Sequence, residues 1–165
     1  MIGYFSIYRS DDEKYAGGIL SMNEKGLPVS FKYTTPIKPN KIQKIIYGKN
    51  LKSYLASEII GKQLINIVKD LDMIFVNDTE ILDFIQTDKL MVHLNLTYEP
   101  LEEYLKEKEG CISSGENRSI KLTFSKEPGE ELFKKISELN EFFDLFEPFQ
   151  RLNEALKYIC SSEEK

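Results

Sequence analysis

Two β-rich arms, 16–23 (AGGILSMN) and 27–34 (LPVSFKYT), stand either side of Glu24-Lys25-Gly26. A connection that short requires the arms to pair with each other as an antiparallel hairpin. In the second arm Val29, Phe31 and Tyr33 alternate with Ser30, Lys32 and Thr34, the period of a half-buried strand. Pro28 suits a strand start or a sheet edge. Residues 2–8 (IGYFSIY), aromatic and β-branched, predict a further strand before the hairpin, joined to it by the charged turn 9–14. Gly17-Gly18 matches neither a dinucleotide fingerprint nor a P-loop, so it reads as a close backbone approach or a bulge.

Pro36 and Pro39 end this sheet section and hold an extended linker. Asn40 is placed to cap a short helix over 41–47, which Gly48 stops. Leu51, Leu55, Ile59, Ile60, Leu64, Ile67, Val68 and Leu71 recur at helical spacing and predict one long helix over 51–71. A β-α-β pattern follows. It has a strand over 73–76 (MIFV), a helix near 80–86 capped by Asp78 or Thr79, and a strand over 90–96 (LMVHLNL). If its strands are parallel in one sheet, the crossover is right-handed. Residues 98–109 read as a polar helix, 110–118 as a flexible loop and 120–124 as a last strand. Ser125 is placed to cap a helix that starts at Pro128. Leu132, Phe133, Ile136, Leu139 and Phe143 on that helix face a core. Pro148 interrupts, and a final helix runs to about 160. The order predicts an α+β (mixed α/β) fold, with N-terminal antiparallel strands, central helices, a short β-α-β unit and a C-terminal helical pair over 128–161. At 165 residues, 41% of them hydrophobic, the chain suits one domain over 1–165.

Charge supplies the first functional pointer. The chain carries a formal net charge of −5, yet Lys32, Lys38, Lys41, Lys44, Lys49 and Lys52 fall between residues 32 and 57 with no Asp or Glu among them. An acidic total argues against a generic nucleic-acid wrapper, although nucleic acid is not excluded. The local reversal of sign marks a surface for an anionic ligand or an acidic partner; a solvated lysine face that pairs with the acidic helices is the plainer alternative. The candidate binding residues are Tyr33, Thr34, Lys38, Lys41, Gln43, Tyr47 and Lys49. The lysines attract charge, and the amide and hydroxyls add directional hydrogen bonds.

A rival reading is enzymatic. Asp78 follows the 73–76 strand, and strand carboxyl ends are where ligands lie in α/β sheets. With Asp70, Asp72, Glu80 and Asp83 nearby in sequence, it could serve metal-dependent phosphoryl transfer or nuclease-like chemistry, with Lys49 stabilising developing charge. Helix capping by Asp78 is the alternative role. His93, the single histidine, has no nucleophile motif to complete a triad. Cys111 and Cys160 lack metal-ligand spacing, so no metal site is predicted. The absence of any recognisable catalytic motif leans the reading toward binding, with no cofactor specified.

Phe142, Phe143, Phe146 and Phe149 crowd one helical end, where they either close a corner or form a homo-oligomer interface. The start of the chain lacks the basic opening of an export leader, and no apolar run approaches the ~18 residues of a membrane span. A soluble, cytoplasmic, non-membrane protein with reduced thiols is expected.

The stretch 17–64 carries GGIL, Asn-x-x-Gly-Leu-Pro, Phe-x-Tyr-Thr-x-Pro-Ile-x-Pro, Gln and Tyr-Gly. In these motifs it resembles a group of bacterial proteins with no assigned activity. The resemblance implies that hairpin, linker and short helix belong together as a unit, and it implies nothing about chemistry.

Overall fold

A computed structural model describes residues 1–98, 108–113 and 118–162. Strands β1 (Ile2–Arg9), β2 (Tyr15–Met22) and β3 (Pro28–Tyr33) form the expected antiparallel meander. The hairpin turn follows from its residues. The Asn23 side chain accepts the Lys25 and Leu27 N–H groups at 2.9 and 3.0 Å, and Gly26 takes the left-handed φ of 79° that such a turn requires.

Strands β4 (Met73–Val76) and β5 (Leu90–Thr97) lie parallel to β1, confirming the β-α-β unit around α4 (Thr79–Phe84). The sheet then turns antiparallel again through β6 (Glu109–Ser113) and β7 (Ser119–Phe124), giving the order β3-β2-β1-β4-β5-β7-β6. Strand β6 replaces the beginning of the expected 110–118 loop. Cys111 and Ile112 alternate partly exposed with buried, a period-2 signal too short to stand out beside the polar run around it. Most of the helix expected over 98–109 lies outside the described residues.

Alternation along the strands builds two cores. Ile2, Tyr4, Leu20, Met73, Phe75, Val92 and Leu122 meet the C-terminal helices α5 (Glu130–Phe142) and α6 (Glu147–Ser162) on one face. Phe5, Ile19, Ile74, Val76 and Met91 meet the central helical segment and α4 on the other. A buried polar bond fixes the first layer. The Tyr4 hydroxyl donates to the Leu145 carbonyl oxygen at 2.9 Å, and burial pushes the phenol well above its ordinary range, so it remains a neutral donor. Phe149 is buried, Phe143 and Phe146 pack partly buried against this core, and Phe142 is 74% exposed.

The central helical segment departs from one regular helix over 51–71. It follows α1 (Lys41–Tyr47) and a 3₁₀ turn, and consists of α2 (Leu51–Tyr54), a π-helical stretch Leu55–Gly61 and α3 (Lys62–Ile65). Its sequence is apolar at the right intervals, but Gly61 admits a wider turn: a Cβ there would stand 2.4 Å from the Ala56 carbonyl oxygen. The helix ends early, before Asp70 takes a left-handed φ of 65°. At the C-terminal pair, Gly129 is the N-cap of α5, while the Ser125 hydroxyl accepts the Met91 N–H at 3.0 Å. Pro148 falls in the first turn of α6, where a missing N–H costs nothing.

Candidate functional site

Strand β1 leads into the turn to β2 on one side, and β4 leads through α4 to β5 on the other. The carboxyl ends of these adjacent parallel strands therefore sit where the chain departs in opposite directions, the position at which open α/β sheets leave a crevice. Ser6 and Asn77 meet across this point, with Asn77 Nδ2 donating to Ser6 Oγ at 3.2 Å. Beside it runs a groove of about 300 Å³ lined by Arg9, Glu13, Tyr15, Lys44, Gly48, Lys49, Leu51 and Lys52.

Each charged member arrives for a local reason. Arg9 is the last residue of β1. Lys44 lies on the inner side of α1, opposite Ile42, Ile45 and Ile46, which are all exposed. Asn40 sets that helix, since its side chain accepts the Gln43 N–H at 2.8 Å while Gln43 Oε1 accepts the Asn40 N–H at 2.9 Å. Gly48, with φ 53°, ends α1 and starts the turn that delivers Lys49 and then Lys52. The segment can approach the sheet because β2 offers Gly17, where a Cβ would lie 1.9 Å from Ile60 Cγ2.

Four cations and one carboxylate line the groove. Glu13 receives Lys44 through one oxygen and Arg9 Nη2 through the other, the latter at 3.2 Å. The hydrogen bond and charge of Lys44, followed by Arg9, hold its carboxyl below the usual carboxylate range. Lys52 bonds Asp78 at 2.7 Å. Partial burial disfavours the charged form of Asp78, but Lys52 and the Glu80 N–H outweigh it and keep the carboxyl ionised below its ordinary range. Asp78 also caps α4, accepting that N–H at 2.9 Å. Further along β5, burial lowers the His93 titration, against the opposing pull of Asp78, so the imidazole is neutral at pH 7.

The residues expected from sequence separate in space. Lys49 lines the groove. Lys38 and Lys41 are exposed on the linker and α1, and Tyr33 is 55% exposed on edge strand β3. Thr34 is buried, its Oγ1 accepting the Gly17 N–H at 3.0 Å. Gln43 closes the capping box, and Tyr47 stacks on Tyr54 with ring centroids 4.1 Å apart. Lys44 and Lys52 of the acid-free segment join Lys49 in the groove although they were not among the candidate binding residues, and Arg9 and Glu13 enter without having been singled out. The helical period of α1 places Lys44 opposite the isoleucines, but nothing in the sequence links Arg9 to a lysine forty residues later.

The carboxylates of the enzymatic reading also separate. Asp72 lies at the other end of β4, bonded to Lys135 and the N-terminal amine. Glu80 accepts from the Ser53 hydroxyl at 3.1 Å. Among the described residues no three His, Cys, Asp or Glu side chains gather to hold a metal ion. Among the same residues, no helix is long and apolar enough to cross a membrane.

No protein-family model matches the chain, and no curated protein matches it. Among solved structures it is similar to Marinitoga piezophila Argonaute in complex with 5′ OH guide RNA, at 15% identity and a TM-score of 0.35, covering 84% of this chain and 25% of that one. The same Argonaute with guide RNA and target DNA gives 14% identity and a TM-score of 0.36, covering 83% and 24%. The chain thus spans about a quarter of the proteins it is similar to, and at these scores the likeness carries no inference about function.

Proposed function

We propose that the chain is a binding module whose groove over the carboxyl ends of β1 and β4 takes an anionic, phosphate-bearing ligand. The observation that carries this reading is the convergence of Arg9 from the end of β1 with Lys44, Lys49 and Lys52 from the helical run that starts with α1, on one open groove lined by a single carboxylate. Lys49 forms no ion pair with any described residue and offers its ammonium to a ligand. Lys38 and Lys41 extend the positive field outside the groove and favour approach rather than contact. Titration with pyrophosphate tests the reading. Lys49→Gln should weaken binding about tenfold and flatten its salt dependence, while Lys38→Gln changes it little. Equal affinity of Lys49→Gln and the unaltered protein would remove the groove as the site.

One position favours a second reading. Asp78 stands ionised beside the groove at the end of β4, where it could assist phosphoryl transfer with a divalent cation. Hydrolysis of a phosphodiester in Mg²⁺ or Mn²⁺, abolished by Asp78→Asn, would establish it; an undiminished rate in that variant would dismiss it. We also infer a homo-oligomer contact at the C-terminal helical end, through Phe142, with Phe143, Phe146 and Phe149 behind it. Its exposed ring is the supporting observation. Phe142→Glu should reduce the mass measured by light scattering, and an unchanged mass would acquit that surface.

A further inference from the structure

Glu13 lines the groove that its neighbours make positive. It belongs to the turn between β1 and β2, and that turn is built firmly. The Ser10 N–H donates to the Lys14 carbonyl oxygen at 2.9 Å, the Glu13 N–H to the Ser10 carbonyl oxygen at 3.0 Å, and the Lys14 N–H to Ser10 Oγ at 2.9 Å. Within it Glu13 takes a left-handed φ of 63°, a conformation that glycine adopts more readily than a residue with a side chain. The side chain at this position places its carboxylate between two cations from different elements, one oxygen toward Arg9 of β1 and the other toward Lys44 of α1. Two oxygens of one anionic group, each held by a separate cation, are the contacts a phosphate group would make in the same place. The Glu13 side chain is 40% exposed, so rotation about its own bonds can withdraw the carboxylate without disturbing the core.

We propose that Glu13 is a tethered counter-anion that occupies the anion position of the groove when no ligand is bound and is displaced by the ligand. It sets an affinity threshold: a ligand enters only if its contacts to Arg9 and Lys44 exceed those of a competitor held at high local concentration. This rests on the groove reading given above, and it adds that the unliganded groove is self-occupied.

Calorimetric titration with pyrophosphate at fixed ionic strength tests it in the full chain, using the unaltered protein, Glu13→Gln, Glu13→Asp and Lys49→Gln. Tethered competition predicts roughly tenfold tighter binding in Glu13→Gln. Glu13→Asp, which keeps the charge but reaches less far, should also gain affinity because it cannot hold Arg9 and Lys44 together. If Glu13→Asp matches the unaltered protein while Glu13→Gln gains, the carboxylate acts by simple repulsion and the displacement proposal is overturned. If both variants bind like the unaltered protein while Lys49→Gln is weakened, Glu13 is a structural staple, and the proposal falls although the groove stands. If Lys49→Gln is not weakened, the groove reading fails and takes the proposal with it. Thermal melts of all four proteins separate affinity from stability: a staple would lower Tm in both Glu13 variants without a gain in binding. Carboxyl-carbon NMR of Glu13 provides an independent readout, because displacement requires its titration to move back toward the ordinary glutamate range when pyrophosphate is added.

Discussion

The two ends of β4 both gather charge, but they balance it differently. At the amino end, Asp72 accepts from the N-terminal amine at 3.1 Å and from Lys135 at 2.7 Å, and Lys135 also lies 3.7 Å from Glu24. Two cations meet two carboxylates there. At the carboxyl end, Arg9 and Lys44 share Glu13, Lys52 is held by Asp78, and Lys49 pairs with none of the described residues. The first cluster pairs its charges internally and ties the chain start to α5. The unbalanced end keeps a positive excess at the place where the sheet topology opens a crevice. A charge cluster becomes a candidate site through the excess that remains after its internal pairs are matched, rather than through the number of its members.

The largest effect is expected from disturbing what brings the cations to the carboxyl end. Gly17→Ala puts a Cβ 1.9 Å from Cγ2 of Ile60, which is itself fully buried in its layer. Repacking should cost about 1–3 kcal/mol, read as a lower denaturation midpoint in urea. If Ile60 moves away from the sheet, Lys49 and Lys52 move with the segment, and pyrophosphate affinity falls in the protein that remains folded. Unchanged stability would mean that the close approach is not holding this layer.

Lys135→Gln acts at the amino end of β4. It removes a cation from the balanced cluster, so it should leave pyrophosphate binding unaltered and lower stability by less than about 1 kcal/mol, since the pair is partly exposed. Lys49→Gln should do the reverse, weakening binding with no measurable change in Tm. A loss of binding in Lys135→Gln would show that the long-range field, and not the groove, controls affinity.

Much of the scaffold was legible because its signals are local. The Asn23–Gly26 turn and the caps at Asn40 and Asp78 each lie within a few residues of the structure they specify. The alternation at Val29, Phe31 and Tyr33 marks a strand, but not a buried face: on edge strand β3, Val29 and Tyr33 are both more than half exposed. Lys44, Lys49 and Lys52 of the acid-free lysine segment line the groove. Legibility failed where the cause was distant or competing. Thr34 looked like a polar site residue, but it satisfies a backbone N–H of Gly17 in the neighbouring strand, a demand that only the sheet reveals. Gln43 looked available and is taken by its own helix cap. Arg9 and Glu13 joined the site through strand pairing, which no spacing within 32–57 encodes. The π-helical stretch broke an otherwise regular apolar period because Gly61 permits a carbonyl contact that every other residue forbids.

The smallest expected effect concerns the pH response of the balanced end. The Lys135 hydrogen bond, opposed by partial burial and aided by the N-terminal amine, keeps the Asp72 carboxyl below its ordinary range. A carboxyl depressed in the folded state contributes stability above its unfolded pKa of about 3.9 and loses it as pH falls through the lower folded value. Asp72→Asn should therefore be slightly less stable than the unaltered protein at pH 7, by under about 1 kcal/mol given the exposure of the pair, and the two should converge in acid. Glu13 is depressed in the same direction, yet it sits among surplus cations. Its removal should change stability less than that of Asp72 and change ligand affinity more. Urea melts of Asp72→Asn and Glu13→Gln between pH 3 and 7 compare the two carboxylates directly. Equal acid sensitivity would mean that both ends of β4 are structural ion clusters, and that the excess of charge at the carboxyl end has no separate role.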